Sequence, residues 1–263
     1  MSALIDSHCH LNYDYLPKTV DDLVREAKAA GVRNLITIAT DLPSLAQVEA
    51  ISEKYPEIFH TVGIHPHDAD TLADSDLEKL AKAALHPKCR AIGEIGLDYH
   101  YDHSPREIQK KRLEQQLDLA RATSQPIVIH SREGEADLLV ALTAYAKKLK
   151  AEQLPGVIHC FTGTVPFGKA CIDLGFYISF SGILTFKKAE EVHQAAREFP
   201  LERILVETDS PFLAPIPFRG KKCEPAMVKL TALKLAELKS LTFEQVASQT
   251  TSNSIRLFRL PPV

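Results

Sequence analysis

Eight short apolar runs alternate with helix-forming stretches along almost the whole of this chain. The runs are Leu4-Ile5 leading into Asp6-Ser7-His8-Cys9-His10, then Asn34 to Ala39, Phe59 to Ile64, Cys89 to Glu94, Pro126 to His130, Gly156 to His159, Phe176 to Ser179 and Arg203 to Glu207. Between them the pattern predicts helices over Thr19 to Gly31, Pro43 to Tyr55, Asp76 to Leu85, Pro105 to Ala122, Gly134 to Lys150, Val165 to Leu174 and Lys188 to Glu198. Two more, Pro225 to Leu238 and Thr242 to Leu257, come after the last run. Thr19 suits an N-cap, Pro105 a first turn, and Gly31 and Gly175 helix ends. Continuously apolar strands separated by helices form a parallel sheet covered by helices. Eight such units without a Pro/Gly/Ser-rich linker predict an α/β fold, a single (β/α)8 TIM-type barrel over residues 1–263. A doubly wound open sheet is the alternative, but the first strand ends in DSHCH and not in a G-x-G-x-x-G turn.

In such a barrel the chemistry sits at the C-terminal ends of the strands. His8 and His10, at i and i+2 on a strand, present two imidazoles to one side. Alone that pair is a weak signal. Other runs then end the same way: His65 and His67 after the third, Glu94 on the fourth followed by Gly96-Leu97-Asp98-Tyr99-His100, His130-Ser131-Arg132 on the fifth, His159-Cys160 on the sixth, and Glu207-Thr208-Asp209 on the eighth. So many titratable groups at one mouth are costly to bury without compensation, and a bound cation supplies it. Imidazole and carboxylate without an obligatory thiolate suit Zn²⁺, Mn²⁺ or Mg²⁺. Four histidines, one glutamate and one aspartate are too many for one tetrahedral site. They fit two divalent metal ions sharing a carboxylate, a hydrolase layout in which such ions lie roughly 3.5–4 Å apart.

The net charge of −3 argues against a general footprint for long nucleic acid, though not against a local basic patch. Five cysteines show no CxxC spacing, and the start lacks a charged-then-apolar signal, so a reduced cytoplasmic location is expected. No apolar run approaches the ~18 residues of a membrane span.

The motifs DSHCH, GIHPH, GEIGLDYH, IHSR, HCFTG, ETDSPFLAP and RGKKCEP succeed one another from residue 6 onwards. Together they resemble the TatD family of metal-dependent hydrolases within the amidohydrolase superfamily. The resemblance implies that His8, His10 and Asp209 hold one ion, that His130 and His159 hold the other, and that Glu94 bridges them. It also implies a deoxyribonuclease of the 3′→5′ exonuclease type, supported by Mg²⁺ or Mn²⁺. The family pattern has Asn where Cys223 stands.

On this reading Glu94 and Asp209 are the catalytic carboxylates, with Asp209 also taking or relaying a proton. His65, Arg132, Arg219 and Lys221 are expected to contact substrate phosphates, the arginines through bidentate geometry. His67 is a weaker contact, and for it and His65 backbone hydrogen bonding around Pro66 is an equal alternative. Lys222 reads as a solvated charge, His100 and His103 as rim residues, and His60, His86 and His193 as structural. Cys9 and Cys160 are expected to face the barrel-to-helix layer as apolar fillers. Phe161 and Tyr99 could stack a base, although packing is the commoner use. The expected substrate is DNA, as a single strand or a frayed end, with no membrane and no obligate protein partner. An ester or amide hydrolase acting on a phosphate-bearing substrate such as aminoacyl-tRNA is the alternative. A degenerate barrel serving only as a binding module would lack ligands, and none is missing.

Overall fold

The computed structural model describes residues 3–263, so the first two positions of the expected domain lie outside the described residues. Eight parallel strands lie in sequence order: β1 (Leu4–Cys9), β2 (Val32–Thr37), β3 (Ile58–Val62), β4 (Cys89–Asp98), β5 (Ile127–Arg132), β6 (Gly156–Ile158), β7 (Tyr177–Phe180) and β8 (Ile204–Val206). The helices are α1 (Val20–Ala30), α2 (Leu42–Lys54), α3 (Leu77–Ala83), α4 (Arg106–Thr123), α5 (Glu135–Ala146), α6 (Val165–Asp173), α7 (Glu190–Glu198), α8 (Val228–Lys239) and α9 (Phe243–Phe258). This is the expected (β/α)8 arrangement. Thr19 caps α1 through a capping box with Asp22, and Gly31 takes the left-handed conformation that ends the helix.

The sheet closes between β8 and β1 beyond the regular ladder. Asp209 N–H donates to His8 O at 2.9 Å and His10 N–H to Ser210 O at 2.8 Å. Lower down, side chains take over the seam: the Asp6 carboxylate accepts from Thr208 N–H (2.9 Å) and Thr208 Oγ1 (2.6 Å), and Ser7 Oγ donates to Val206 O (3.1 Å). Closure therefore brings the first histidines of the chain against its last acidic strand end.

One apolar cluster takes a residue from every strand, Ile5, Ile36, Phe59, Ala91, Val128, Val157, Tyr177 and Leu205, together with Leu257, Phe258 and Leu260 from α9 and its end. We read this as the filling of the barrel, sealed at its N-terminal end by α9. A larger cluster joins the outward strand faces to the helices. With the lower barrel filled, only the C-terminal end is left open for chemistry.

Register shifts interrupt the ladders in β1, β2 and β4, and two of them bear on the mouth. Between Asp6 and Cys9, β1 spends three steps where β2 spends two, from Leu35 to Thr37. Between Ile92 and Ile95, β4 likewise spends three steps against two from Ile127 to Ile129 on β5. At each of these two places the strand carries one extra residue, a bulge, which shifts the in-out parity of the residues beyond it. In β1 it turns Cys9 outward, where its thiol donates to Ile36 O (3.4 Å), and leaves His8 and His10 facing the mouth. In β4 it lies at Gly93-Glu94, so Glu94 does not end the strand as expected. The strand runs on to Asp98, and β5 runs on past His130 to Arg132. Gly96 lies beyond the bulge at φ +151°, and a Cβ there would collide with the carbonyl oxygen of His130, so no side chain is tolerated.

Candidate metal centre

Glu94 is the hub of the mouth. Its Oε1 lies 2.7 Å from His159 Nε2, 3.0 Å from His130 Nδ1 and 3.3 Å from His65 Nε2, and its Oε2 lies 3.4 Å from His8 Nε2. Four imidazoles from four different strands or their ends therefore converge on one carboxylate. Asp209 stands beside them, its Oδ1 3.3 Å from His10 Nε2 and 3.6 Å from His8 Nε2. The His8 and His159 rings stack at 3.9 Å, nearly parallel at 9°. All six residues that the sequence picks out as ligands thus come to one place.

A further set of acids holds the imidazoles from behind. Asp98, fully buried, takes His130 Nε2 (3.0 Å) and His67 Nε2 (2.8 Å) on Oδ2, and the backbone N–H groups of His100 (3.0 Å) and Tyr101 (2.9 Å) on Oδ1. Glu207 Oε1 faces His159 Nδ1 at 3.3 Å and accepts from Cys160 N–H at 2.7 Å. A carboxylate behind a histidine fixes its tautomer and ring orientation, the usual support of a metal-binding imidazole. Sequence reasoning had Asp98 and Glu207 only as members of longer motifs. The signal for Asp98 was its place four residues after Glu94, which becomes informative only once β4 is known to continue.

The charges reflect this packing. Burial opposes ionisation of Glu94, but the positive potential of His159 and His65 and the hydrogen bonds from His130 and His159 hold its carboxyl well below the usual range. Burial likewise pushes His159 down, and Glu94 and Glu207 overcome it, so its pKa is raised. Against the same burial, bonds to Asp98 and Glu94 raise His130. For His65 burial wins, and its pKa falls to about 4. His8 is lowered by burial and by the neighbouring His159. Burial also works against Asp209, yet the bond from His10 and the charge of His8 keep its carboxyl below the ordinary value.

Whether the residues fit a cation is answered by the nitrogens left over. His8 Nδ1 and Nε2 and His10 Nδ1 are buried without a hydrogen-bond partner. Buried polar atoms are ordinarily paired, and His8 Nε2, unpaired at 3.4 Å from Glu94 Oε2 and 3.6 Å from Asp209 Oδ1, is the one a cation between those carboxylates would satisfy. The ligand atoms fall within 4.8 Å of one another in three groups at the mouth: His8, His10 and Asp209; His8, Glu94 and His159; and His65, His67 and His130. The donor set fits divalent cations. The grouping differs from the implied one at His130, whose ring turns one nitrogen to Glu94 and the other to Asp98 and gathers with His65 and His67, not with His159.

Of the residues expected to touch substrate, His65 and Arg132 line the mouth, a cavity of about 600 Å³. Arg219 lies in a neighbouring cavity, its guanidinium 4.1 Å above the Phe186 ring, so it is displaced from the centre. Lys221 lines neither cavity and stands 5.8 Å from the Phe218 ring. Lys222 is exposed, as expected, and pairs at the surface with Asp14 at 3.1 Å. Cys160 departs from its expected place: it lines the mouth, with Sγ 3.2 Å from Ser181 Oγ. Phe161 packs with Phe167, Phe180 and Phe199 in the core, and Tyr99 is tied to Asp137, so neither is free to stack a base. Cys223 is buried under the 208–211 turn, its N–H donating to Pro211 O (2.9 Å), and its side chain does not reach the mouth. His60 and His193 are structural, bonded to Ser52 Oγ and Leu184 O.

The profile of the family described as "TatD related DNase" matches residues 5–259. The chain is 41% identical to the "Uncharacterized metal-dependent hydrolase YabD" of Bacillus subtilis over 98% of this chain and 99% of that protein. It is 39% identical to the "Uncharacterized metal-dependent hydrolase YcfH" of Escherichia coli, over 98% and 96% of the two chains. The crystal structure of YjjV, a TatD homolog from Escherichia coli, superposes with a TM-score of 0.90 at 30% identity, covering 98% of each chain.

Proposed function

This chain belongs to the TatD family of metal-dependent hydrolases, and on that footing we propose that its mouth is a phosphodiesterase site acting on DNA ends, a deoxyribonuclease of the 3′→5′ type. The observation that carries the reading is the convergence of four imidazoles on Glu94 beside Asp209, with buried His8 and His10 nitrogens unpartnered. In this reading His8, His10 and Asp209 would hold one divalent cation, His130 and His159, whose Nδ1 and Nε2 respectively reach Glu94 Oε1, would hold a second, and Glu94 would serve both. Such cations, when bound, polarise a phosphoryl oxygen and lower the pKa of water.

The protein's own groups supply the rest. Asp209, ionised beside His8 and His10, accepts the proton of the water whose oxygen bonds phosphorus as the P–O3′ bond breaks, and passes it to the departing 3′ oxygen. Asp98 and Glu207 keep His130 and His159 in fixed orientation. Arg132, exposed at the end of β5 and without a carboxylate partner among the described residues, binds the substrate phosphate, and His65, whose ring packs 4.5 Å from that of His130 in the same mouth, is a second contact. The filled barrel below excludes water from beneath the reacting atoms. A cavity of about 600 Å³ suits a strand end better than the side of a long duplex. Five cysteines, none in a disulfide, suit the reducing cytoplasm, and no helix of the described residues is long and apolar enough to cross a membrane.

The test is cleavage of end-labelled single-stranded oligonucleotides by protein stripped with EDTA and resupplied with Mg²⁺, Mn²⁺ or Zn²⁺. Mononucleotides released progressively from the 3′ end are expected. Hydrolysis of an aminoacyl ester with no nucleic acid cut under any metal would replace this reading with the ester-hydrolase one.

A further inference from the structure

Among the described residues only three aromatic side chains are well exposed, Tyr13 (41%), Tyr101 (49%) and Phe212 (47%), and all three line the one mouth that holds Glu94 and Asp209. Exposed aromatic surface is unfavourable in water unless something covers it. The three are also not scattered around the rim. Tyr13 comes after β1 and Phe212 after β8, and their rings meet edge to face at 5.6 Å, both standing against His10 (5.1 and 6.0 Å). Tyr101 comes after β4, and the guanidinium of Arg132 at the end of β5 lies 4.8 Å over its ring. With the strands in order around the barrel, β1 and β8 are opposite β4 and β5. Two aromatic platforms therefore face each other across the imidazole–carboxylate cluster.

We propose that these platforms are a pair of nucleobase subsites, one taking the base on each side of the phosphate that is cleaved. This rests on the phosphodiesterase reading of the mouth and narrows it. Flat π-faces beside a phosphate-binding arginine are the chemistry that recognises unpaired bases without reading their sequence. To reach both platforms, two neighbouring bases must turn away from each other. A paired, stacked duplex end cannot do that, whereas a single strand can. The substrate class is therefore a single-stranded end bearing bases on its last two nucleosides. The enzyme is indifferent to which bases they are.

Two measurements test the assignment. In the first, a single-stranded oligonucleotide is compared with strands carrying an abasic tetrahydrofuran residue at the last or next-to-last position. Removing either base is expected to lower kcat/KM by about 5- to 150-fold, the equivalent of the ~1–3 kcal/mol that stacking one base supplies. In Phe212→Ala and Tyr101→Ala, each expected to fold because the side chain is exposed, one of the two penalties falls towards one and the other persists. In the second, 2-aminopurine at each position is titrated with EDTA-treated protein. Quenching on binding is expected, lost at one position in Phe212→Ala and at the other in Tyr101→Ala. Equal cleavage of base-bearing and abasic strands, or absence of quenching, overturns the subsites while leaving the nuclease reading intact. Quenching at both positions without cleavage under any metal keeps the subsites and removes the nuclease reading.

Discussion

Asp98 gives the sharpest separation between holding the fold and holding the site. Its two oxygens do different work: Oδ1 accepts two backbone N–H groups that shape the turn after β4, and Oδ2 accepts the ring N–H groups of His130 and His67. Asp98→Asn can keep the first pair through its carbonyl oxygen. It turns an amide NH₂ towards imidazole nitrogens that need an acceptor, so His130 loses the contact that orients it. Loss of a carboxylate supporting a ligating histidine weakens metal binding or activity by about 10- to 100-fold, and that is the expected effect of Asn. Asp98→Ala removes both pairs. At about 1 kcal/mol for each of two half-buried backbone donors left unpaired, it should be about 2 kcal/mol less stable than Asn. That corresponds to a Tm lower by roughly 4–8 °C for a chain of this size. The assays are metal titration followed calorimetrically, kcat on an oligonucleotide, and thermal melts of the stripped proteins. Wild-type metal affinity and kcat in Asp98→Asn, or equal melting of the Asn and Ala proteins, would refute the division of labour.

Three further outcomes are expected. Glu94→Ala should reduce turnover by at least about 10³-fold and lower bound metal while the circular dichroism spectrum stays that of the wild type, since the hub lies above the packed interior; full activity would defeat its role. Adding Zn²⁺ or Mn²⁺ at 100 times its dissociation constant should stabilise the stripped protein by about 2.7 kcal/mol, and a His8→Ala/His10→Ala protein should show a clearly smaller rise in Tm. His60, buried away from the mouth against Ser52, has its pKa lowered from 6.5 to about 3 by burial and the nearby His86, Lys88 and Arg90. The unfolded chain therefore binds a proton that the folded chain refuses, so stability falls as pH drops from 6.5 towards 3, at up to ~1.4 kcal/mol per pH unit. Urea melts should show this slope flattened in His60→Gln, and an unchanged slope would show that other groups dominate.

Much of this protein could be read from the order of its residues. Periodicity placed every strand and main helix to within a few residues, because buried parallel strands and amphipathic helices write different repeats into a chain. Strand-end polarity marked His8, His10, His65, His67, Glu94, His130, His159, Glu207 and Asp209, because an open barrel end is the one place where apolar strands can terminate in titratable groups, and the family resemblance chose six of them as ligands. What had to wait for the tertiary structure was direction. Alternation already set Cys9 opposite His8 and His10, but the extra residues in β1 and β4 show only when each strand is laid against its neighbour, as does the continuation of β4 past Glu94. Asp98 and Glu207 gained roles, and Arg219 and Lys221 moved away from the centre, for the same reason. Which side chains meet depends on register and closure across the barrel, and these are relations between strands that no single stretch of sequence contains.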